Sequence, residues 1–374
     1  MDVKAAIATS PKAALTVDTV RLDGPREKEV LIELVAAGLC HTDKTIVDGS
    51  RVWDKFPIVL GHEAAGIVAE IGPGVTRLRP GDKVIPLAMP ECGHCPPCRR
   101  PKTNLCDEFF RPYVRSPFSW QGSEIASFAN LGTFAQFITV REMQVAKIRS
   151  DAPLDMVCCM GCAGITGIGA VLHTARVEAG SSVVVFGLGG IGINAIDGAR
   201  IAGATTIIGV DVNPAKEAPS RKAGMTHFLN PREHGMDIVA AIKDITGGGA
   251  DYSFECVGHE ALIQQAIDCT RTGWGVIVII GNVPGRYDRT VPVQPRTIQH
   301  GRWVTGCHLG NVKALSEFPE LIDMFMDGRL RQENLISHRI SLEDINRGFA
   351  LMDTVDAQRV VIDFQASAIA AERT

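Results

Sequence analysis

Four cysteines are grouped in one short segment of the chain. Two residues separate Cys92 from Cys95 and Cys95 from Cys98, and Cys106 follows after seven more. Four thiolates this close can complete the tetrahedral shell of Zn²⁺, which leaves no position for a substrate. An iron–sulfur cluster is the alternative, because bacterial ferredoxins share the C-x2-C-x2-C spacing. Their fourth cysteine comes sooner and precedes proline, whereas Asp107 follows Cys106. The segment therefore predicts a structural zinc site.

Three other potential metal ligands are far apart in the chain: Cys40, His62 and Cys162. A thiol or an imidazole can bind zinc, but spacing alone does not unite these three. Taken singly, each is better explained as a buried cysteine or a hydrogen-bonded core histidine than as a metal ligand. The residue types alone leave a second metal site open.

A glycine-rich segment with the spacing G-x-G-x-x-G follows the apolar run 182–186 and precedes a predicted helix. Such glycines allow a tight turn and let its backbone approach a pyrophosphate closely. The N–H groups at the N-terminus of the following helix then bind the pyrophosphate. Asp211 follows the next apolar run, about 20 residues later, where a carboxylate accepts hydrogen bonds from ribose and repels the 2′-phosphate of NADP. The segment predicts NAD binding, with a glycine-rich turn and a capping aspartate as the alternative. The predicted contacts are Gly187, Gly189, Gly190, Ile191, Gly192 and Asp211, and Lys216 is either a ribose contact or a solvated lysine.

The elements around these motifs change along the chain. Up to about residue 160, short β-rich runs alternate with Gly/Pro turns. These runs are 30–36, 65–71, 83–87 and 134–140. Beyond Cys162, buried apolar runs alternate with helical stretches, which is typical of a parallel βαβ sheet. These runs are 181–186, 206–210, 252–256 and 275–280. The tail returns to amphipathic helices at 315–327 and 342–352 and a strand at 358–363.

This order predicts an α/β chain of two domains. A dinucleotide-binding domain at 164–306 is inserted into a mostly β domain formed by 1–163 and 307–374.

The chain has 374 residues and a formal net charge of only −4, so no surface for nucleic acid or anionic lipid is predicted. No apolar run approaches the roughly 20 residues that span a bilayer, and the N-terminal segment lacks the apolar core of an export signal. We expect a cytoplasmic protein without nucleic-acid or membrane partners, whose eleven cysteines are metal ligands or thiols.

Together, the motifs resemble those of the zinc-dependent medium-chain alcohol dehydrogenases. The matching segments are CHTD at 40–43, GHEAAG at 61–66, PKTNLC at 101–106, GLGGIG at 187–192 and DYSFECVG at 251–258. The likeness extends from Val30 to Phe364 and is greatest for the class III branch, the S-(hydroxymethyl)glutathione dehydrogenases. It implies a mostly β GroES-like catalytic domain, a doubly wound Rossmann domain, and hydride transfer between an alcohol and NAD.

The resemblance also implies roles for residues that spacing left open. In the family, the residues matching Cys40, His62 and Cys162 hold a catalytic zinc, whose fourth position is open to water or alcohol. Two zinc ions per chain are therefore expected, one catalytic and one structural. Thr42 resembles the family hydroxyl that accepts the alcohol proton and relays it toward the cofactor ribose.

Other family positions surround this predicted centre. Asp43 would accept the second ring N–H of His62, and Glu63 would lie behind the metal. The contacts to NAD implied by the resemblance are His41 and Arg359 at the pyrophosphate, and Thr166 and Ile191 at the nicotinamide.

Three positions depart from the family pattern near the proton relay and the pocket entrance. Thr45 stands where a histidine or tyrosine often completes the relay, and threonine cannot shuttle protons as imidazole does. Arg51 and Trp53 replace acidic residues that face the glutathione adduct in class III enzymes. A cation at Arg51 opposes the ammonium group of glutathione but could attract its carboxylates.

The predicted substrate pocket is roomier and more polar than is usual in the family. Ala88 replaces an aromatic residue, and Asn282 and His308 replace apolar ones, although His308 could instead face solvent. These changes favour reversible oxidation of a bulky or aromatic primary alcohol to its aldehyde. Oxidation of the formaldehyde–glutathione adduct is the alternative, and a non-catalytic zinc-binding structural protein is the alternative of another class. We also expect a homodimer, in which the strand at 275–280 extends the sheet across a two-fold axis.

Overall fold

The computed structural model describes residues 1–100, 103–111, 115–233, 235, 237–283, 290–331, 336–355 and 357–365. Residues 101–102 of the PKTNLC segment lie outside this part of the chain. The described residues form two compact units. Unit 1 contains residues 1–162, 313–326 and those from 336 onward, and unit 2 contains residues 163–312 and 327–331.

Unit 1 is built on two sheets of mostly antiparallel strands. The strands are β1 (Asp2–Ala8), β2 (Thr16–Leu22), β3 (Glu29–Gly38), β4 (Ile58–Val59), β5 (Glu63–Ile71), β6 (Lys83–Pro86), β7 (Phe118–Trp120), β8 (Ser123–Glu124), β9 (Ala126–Ser127), β10 (Phe137–Arg141), β11 (Val145–Lys147), β18 (Ile336–Ile340) and β19 (Arg359–Asp363). One sheet has the order β8-β7-β2-β1-β4-β9. The other has the order β11-β6-β5-β3-β19-β18, with β10 also paired to β3.

The pairing of β3 with β5 decides which turns of unit 1 meet. β3 is buried along almost its whole length, which fixes it at the centre of its sheet. In the antiparallel register, Gly38 at the end of β3 lies opposite Glu63 at the start of β5. Because Cys40 follows β3 and His62 precedes β5, this register places both residues at the same end of the strand pair.

The helices of unit 1 are short. They are α1 (His41–Val47), α2 (Pro96–Arg99), α3 (Leu154–Val157), α10 (Phe318–Met326) and α11 (Ile345–Leu351). The tail helices predicted at 315–327 and 342–352 are present but begin about three residues later. At α10 the reason is local, because the backbone N–H groups of Leu315 and Ser316 donate to the carboxylate of Glu91 instead of entering a helix.

Unit 2 contains a single parallel sheet with helices between its strands. The strands are β12 (Ser182–Phe186), β13 (Thr206–Val210), β14 (His227–Leu229), β15 (Tyr252–Glu255), β16 (Val276–Ile279) and β17 (Trp303–Gly306). The helices are α4 (Ala163–Gly169), α5 (Gly190–Ile201), α6 (Glu217–Ala223), α7 (Ile238–Thr246), α8 (Glu260–Cys269) and α9 (Pro295–Gln299). The strand order β14-β13-β12-β15-β16-β17 reverses direction at β12. This order defines a doubly wound sheet with its ligand crevice at the carboxyl end of β12, which confirms the predicted fold class.

The strand predicted at 275–280 is not an edge strand. β16 pairs with β15 on one side and with β17 on the other, so β17 forms the edge of the sheet. The prediction was wrong because β17, with the sequence WVTG, has no buried residue and therefore lacks the continuous apolar pattern of a parallel strand.

The helices of the described chain are too short to cross a membrane singly. Only the consecutive helical segments 154–161 and 163–175, taken together, reach a membrane-spanning length and apolar composition. Most residues of these segments are buried within the protein, as in core helices.

Candidate active site

Cys40, His62 and Cys162 lie together in unit 1 although they are distant in sequence. Cys40 directly precedes α1, His62 directly precedes β5, and Cys162 follows the 3₁₀ turn Cys158–Gly161. Their ligand atoms and one carboxylate oxygen of Glu63 all lie within 4.8 Å of one another, and the four residues are buried. Two thiols and an imidazole at this spacing fit a zinc ion that keeps one position open.

Asp43 holds the imidazole of this cluster in one orientation. Its Oδ2 lies 3.1 Å from Nδ1 of His62, and its Oδ1 accepts the backbone N–H of Gly61 at 2.9 Å. Asp43 is completely buried on the first turn of α1, so its position is fixed by the same helix that follows Cys40. With Nδ1–H donated to the carboxylate, Nε2 of His62 is the nitrogen available to a metal.

Glu63 and Arg359 form a buried ion pair behind the cluster. Glu63 begins β5 and Arg359 begins β19, and the guanidinium donates from Nη2 to Oε2 of the carboxylate. Burial alone would lower the pKa of Arg359, but the Glu63 carboxylate raises it well above its ordinary value, so the guanidinium stays charged. Gly38 leaves room for this pair, because a Cβ there would lie 2.6 Å from Oε2 of Glu63 and 2.9 Å from Sγ of Cys159.

Two buried atoms of this pair keep unused hydrogen-bonding capacity. Oε1 of Glu63 and Nε of Arg359 have no hydrogen-bond partner among the described residues. Buried polar atoms without partners are rare in proteins and mark places where a ligand or ion completes the network. One carboxylate oxygen of Glu63 lies within 4.8 Å of the possible metal ligands. Nε of Arg359 is a donor suited to an anion, and the contact of Arg359 with a pyrophosphate stays a prediction.

The first turn of α1 carries the residues of the predicted proton relay. Thr42 is half-buried and His41 is exposed. The hydroxyl of Thr45 donates to the carbonyl oxygen of Thr42 at 2.8 Å. The Thr45 proton is therefore used within the helix, which agrees with its lack of an imidazole for long-range transfer.

The four-cysteine segment forms a second cluster in unit 1. The sulfur atoms of Cys92, Cys95, Cys98 and Cys106 all lie within 4.8 Å of one another. Sγ of Cys92 lies 3.9 Å from Sγ of Cys98, and Sγ of Cys95 lies 3.8 Å from Sγ of Cys106. All eleven cysteines of the chain are free thiols. Four thiols at these distances fit a closed tetrahedral zinc site.

The glycine-rich segment of unit 2 forms a turn between β12 and α5. Gly187 has a φ of +86°, a conformation that favours glycine, and a Cβ on Gly192 would collide with the carbonyl oxygen of Gly187. A Cβ on Gly189 would meet no atom within 4 Å, so the backbone there is open to a ligand. Gly190 is the first residue of α5, whose N-terminus therefore faces the turn. This arrangement fits a pyrophosphate.

Asp211 lies beside this turn at the carboxyl end of β13. The parallel register pairs Phe186 with Val210, so Gly187 and Asp211 follow neighbouring strands at the same edge. Oδ2 of Asp211 accepts the N–H of Leu188 at 2.8 Å, and Oδ1 accepts the N–H of Asn213 at 2.8 Å. The carboxylate is thus oriented toward the glycine-rich turn, and its remaining lone pairs are available to ribose hydroxyls.

The other predicted cofactor contacts lie nearby in unit 2 or on its helices. Thr166 is buried on α4, and Ile191 lies in the first turn of α5. α4 packs directly against this turn, because a Cβ on Gly167 would collide with the carbonyl oxygen of Ile191. Lys216 is half-buried at the end of the 3₁₀ turn Pro214–Lys216.

The residues predicted to line the substrate pocket have different environments. Ala88 is half-buried and packs against the core of unit 1. Asn282 and His308 belong to unit 2, and both are exposed. Their contact with substrate stays a prediction.

The imidazole of His62 also makes an aromatic contact that the sequence does not predict. The ring of Phe128 lies 5.4 Å from that of His62 in an edge-to-face arrangement, and the ring of Trp53 lies 5.5 Å from that of Phe128. Edge-to-face rings at this separation stabilise one another. No local spacing could reveal the contact, since Phe128 comes from a distant 3₁₀ turn. The two rings form an aromatic wall beside the cluster of Cys40, His62 and Cys162.

A surface cavity of about 830 Å³ lies elsewhere in unit 1, beside the four-cysteine cluster. Several of its charged lining groups already have partners within the protein. Glu142 accepts two backbone N–H groups, Glu91 accepts those of Leu315 and Ser316, and Arg141 pairs with Glu108. Neither the cluster of Cys40, His62 and Cys162 nor the glycine-rich turn lines this cavity, and we do not assign the chemistry to it.

Known proteins resemble the chain over nearly its whole length. An alcohol dehydrogenase GroES-like domain matches residues 26–150, and a zinc-binding dehydrogenase domain matches residues 190–327. The chain is 42% identical to the class-3 alcohol dehydrogenase of Cereibacter sphaeroides and 42% identical to the S-(hydroxymethyl)glutathione dehydrogenase of Paracoccus denitrificans. Each alignment covers 97% of this chain and 100% of the relative.

Two solved structures share the fold closely. The alcohol dehydrogenase zinc-binding domain protein of Burkholderia ambifaria superimposes with a TM-score of 0.90 at 32% identity. The benzyl alcohol dehydrogenase of Acinetobacter calcoaceticus superimposes with a TM-score of 0.87 at 29% identity. Each comparison covers 97% of this chain and 99% of the other.

A GroES-like domain, two sets of possible zinc ligands and a doubly wound parallel sheet are the features of a zinc-dependent dehydrogenase. The chain belongs to the zinc-dependent medium-chain alcohol dehydrogenase family. It is therefore an oxidoreductase that uses zinc and NAD, as the sequence predicted. The alternative of a non-catalytic structural protein is not supported.

Proposed function

We propose that this enzyme oxidises S-(hydroxymethyl)glutathione, the adduct of formaldehyde and glutathione, with NAD as the hydride acceptor. The observation that carries the proposal is the 42% identity, over 97% of the chain, to an enzyme with that name and to a class-3 alcohol dehydrogenase. Class-3 alcohol dehydrogenases of Pisum sativum and Zea mays are similar at 40% and 39% identity. These relatives favour the adduct over the bulky or aromatic alcohol that the sequence-based pocket analysis preferred.

The reaction removes a hydride from the hydroxymethyl carbon and a proton from its oxygen, and leaves the thioester S-formylglutathione. Cys40, His62 and Cys162 would hold a zinc ion, which would supply a Lewis acid to lower the pKa of the substrate hydroxyl, and bound NAD would supply the hydride acceptor. Thr42 accepts the hydroxyl proton at Oγ1 and passes it toward the ribose. Thr45 does not extend this route, since its own proton is donated to the Thr42 carbonyl oxygen.

The charged residues around the cluster have separate positioning roles in this proposal. Asp43 keeps Nδ1 of His62 protonated, so that Nε2 remains the metal ligand. Glu63 keeps the guanidinium of Arg359 charged and in place. The unpartnered Nε of Arg359 then donates to the cofactor pyrophosphate. His41, exposed beside Cys40, provides a second contact to the same group.

In unit 2 we assign NAD to the turn from Gly187 to Gly192. Its backbone N–H groups and the N-terminus of α5 bind the pyrophosphate, and Gly189 leaves the space for it. Asp211 selects NAD, because its carboxylate accepts ribose hydroxyls and repels a 2′-phosphate. Lys216 supports the ribose, and Thr166 and Ile191 contact the nicotinamide.

A second candidate function is oxidation of aromatic primary alcohols. Ala88 leaves space that an aromatic residue usually fills, and the wall of Trp53 and Phe128 presents ring surfaces beside His62. A ring of the substrate would gain contacts there that a short aliphatic alcohol lacks. The benzyl alcohol dehydrogenase with the same fold is a precedent at lower identity.

The two candidates are separated by comparing kcat/KM for several substrates, because specificity is a ratio of these constants. NADH formation is followed with formaldehyde plus glutathione, benzyl alcohol, cinnamyl alcohol and ethanol. Formaldehyde without glutathione is the control for the adduct. We expect the adduct to exceed each alcohol by about tenfold or more, a difference of about 1.4 kcal/mol. An enzyme that prefers benzyl or cinnamyl alcohol by the same margin supports the second candidate instead.

We also propose that unit 1 is the catalytic domain, unit 2 the NAD-binding domain, and the enzyme a homodimer. The edge strand β17 carries Trp303, whose side chain is 62% exposed and packs edge-to-face on Trp274, which is 72% exposed. An open strand edge with two exposed tryptophans favours a second copy of the chain as its partner.

A further inference from the structure

The chain returns from unit 2 to unit 1 in residues 313–316, which we call the return segment. The long stretch of unit 2 ends at Val312, and unit 1 resumes at Lys313. The return segment leads directly into α10, because the backbone N–H of Phe318 donates to the carbonyl oxygen of Lys313 at 3.0 Å. A contact that fixes the return segment therefore fixes the point at which the chain passes from one unit to the other.

The four-cysteine segment holds the return segment at two points. At the first, Glu91 accepts the backbone N–H groups of Leu315 and Ser316 at 2.7 and 3.0 Å, and the Ser316 hydroxyl donates to its other oxygen at 2.8 Å. At the second, the ammonium group of Lys313 donates to the carbonyl oxygen of Cys98 at 2.7 Å. Each of these hydrogen bonds involves a charged group, which makes it stronger than a bond between neutral groups.

Both points of attachment depend on the four sulfur atoms. Residues 91–98 have the sequence ECGHCPPC, which contains no large apolar side chain, and their only regular element is the short helix α2. Packing of side chains therefore contributes little to the fold of this segment, and a structural zinc site supplies the folding energy that such segments lack. Glu91 directly precedes Cys92, and Cys98 is itself one of the four thiols. Loss of the metal would release both attachments.

The residues before the return segment pack on a helix of the predicted NAD site. A Cβ on Gly169, at the end of α4, would lie 2.5 Å from Cγ2 of Val312 and 2.5 Å from the carbonyl oxygen of Gly310. In the same helix, a Cβ on Gly167 would collide with the carbonyl oxygen of Ile191 in the glycine-rich turn. Interiors packed this closely transmit small shifts. A continuous set of contacts thus joins the four-cysteine cluster to the turn.

We propose that the structural zinc site and the NAD site are energetically coupled through Glu91 and the return segment. Binding of NAD stabilises α4 and with it the return segment, which slows opening of the four-cysteine cluster. An intact cluster favours binding of NAD in turn, because coupling between two sites is reciprocal. Glu91 is a positioning residue in this role. The inference rests on the proposed placement of NAD at the turn from Gly187 to Gly192 but not on which alcohol is oxidised.

The surface cavity of about 830 Å³ gives reagents access to this junction. Cys92 lines the cavity together with Leu315 and Ser316. Cys92 is only half-buried, whereas Cys95 and Cys106 are buried. A chelator or a thiol reagent therefore reaches the cluster first at Cys92, and the rate of its reaction reports how often the cluster opens.

The first measurement is alkylation of the zinc-loaded enzyme by iodoacetamide in the presence of a chelator, with and without saturating NAD. Peptide mass spectrometry separates the cysteines of 92–98 from Cys40 and Cys162, so the readout belongs to the structural site. NAD should slow alkylation of 92–98 by about fivefold or more, the lower end of typical coupling between two sites. Hydrogen exchange at the amides of Leu315 and Ser316 should slow in parallel.

Variants of two glutamates separate this coupling from a general loss of stability. Glu91→Ala should leave two zinc ions per chain, but NAD should no longer slow alkylation, and the dissociation constant of NAD should rise about fivefold. Glu91→Gln keeps one acceptor oxygen and should recover part of both effects. Glu142→Ala is the matched control, because Glu142 lines the same cavity and accepts the backbone N–H groups of Thr76 and Arg77 instead. It should change neither quantity.

The outcomes distinguish the coupling from the proposed function. Alkylation of 92–98 at the same rate with and without NAD, in a wild type that binds NAD, overturns the coupling. Equal effects of Glu91→Ala and Glu142→Ala indicate general destabilisation and also overturn it. A wild type that does not bind NAD overturns the placement of the cofactor together with the coupling. Protection by NAD combined with a poor rate on the glutathione adduct supports the coupling and overturns only the proposed substrate.

Discussion

Replacing Asp211 with asparagine should reduce the preference for NAD over NADP by about 10- to 100-fold. Both carboxylate oxygens accept a backbone N–H, from Leu188 and Asn213, each at 2.8 Å. Each oxygen still has a lone pair for a ribose hydroxyl. Asparagine keeps one acceptor oxygen but removes the charge and the other acceptor. A hydrogen bond to a charged group contributes about 1.5–3 kcal/mol, and tenfold corresponds to about 1.4 kcal/mol.

The assay measures kcat/KM for NAD and for NADP at a fixed concentration of alcohol. Asp211→Gly should weaken binding of both cofactors, because it also removes the acceptors of Leu188 and Asn213. Asp244→Asn, at an exposed position on α7, is the matched control and should leave the ratio unchanged. A wild type that prefers NADP, or a ratio that does not move in Asp211→Asn, refutes the assignment of Asp211 to the ribose.

Metal analysis of the active enzyme should find two zinc ions per chain. Cys162→Ser should abolish turnover with little change in melting temperature, whereas Cys95→Ser should lower the melting temperature by several degrees. Equal destabilisation by both substitutions would contradict the separate roles of the two zinc sites. Gly192→Ala should weaken NAD binding at least about tenfold, because the added Cβ collides with the Gly187 carbonyl oxygen. Titration with NAD measures this affinity, and an unchanged value would argue against the turn from Gly187 to Gly192 as the pyrophosphate site. Trp303→Glu should convert the proposed dimer to a monomer, since it places a charge on the edge strand β17 of each copy. Sedimentation at micromolar concentration measures the change, and a wild type that is already monomeric would refute the proposed dimer.

Unit 2 was the part of the fold most readily predicted from sequence. Its strands are buried on both faces and read as continuous apolar runs, and the turn from Gly187 to Gly192 is a local pattern. The position of Asp211 could also be predicted from a local pattern, because Asp211 directly follows the next continuous apolar strand. The two short edge strands, β14 and β17, escaped prediction, since β14 has one buried residue and β17 has none.

The cluster of Cys40, His62 and Cys162 depends on long-range pairing that spacing does not encode. Cys40 and His62 meet because β3 and β5 pair with Gly38 opposite Glu63, and a shift of the register by one residue would reverse which side chains face inward. Family resemblance, not residue spacing, pointed to these ligands. The contact of Trp53 and Phe128 with His62 had no local signal and emerged only from the tertiary structure.

Isotope transfer from doubly deuterated formaldehyde tests the central claim most directly. The labelled aldehyde is mixed with glutathione, NAD and the zinc enzyme, and the reduced cofactor and the thioester product are analysed by mass spectrometry. Direct hydride transfer from the hydroxymethyl carbon predicts one deuterium in the reduced cofactor and one in S-formylglutathione. Reduced cofactor without deuterium, or no reduction when glutathione is present, would contradict the proposed oxidation of the adduct.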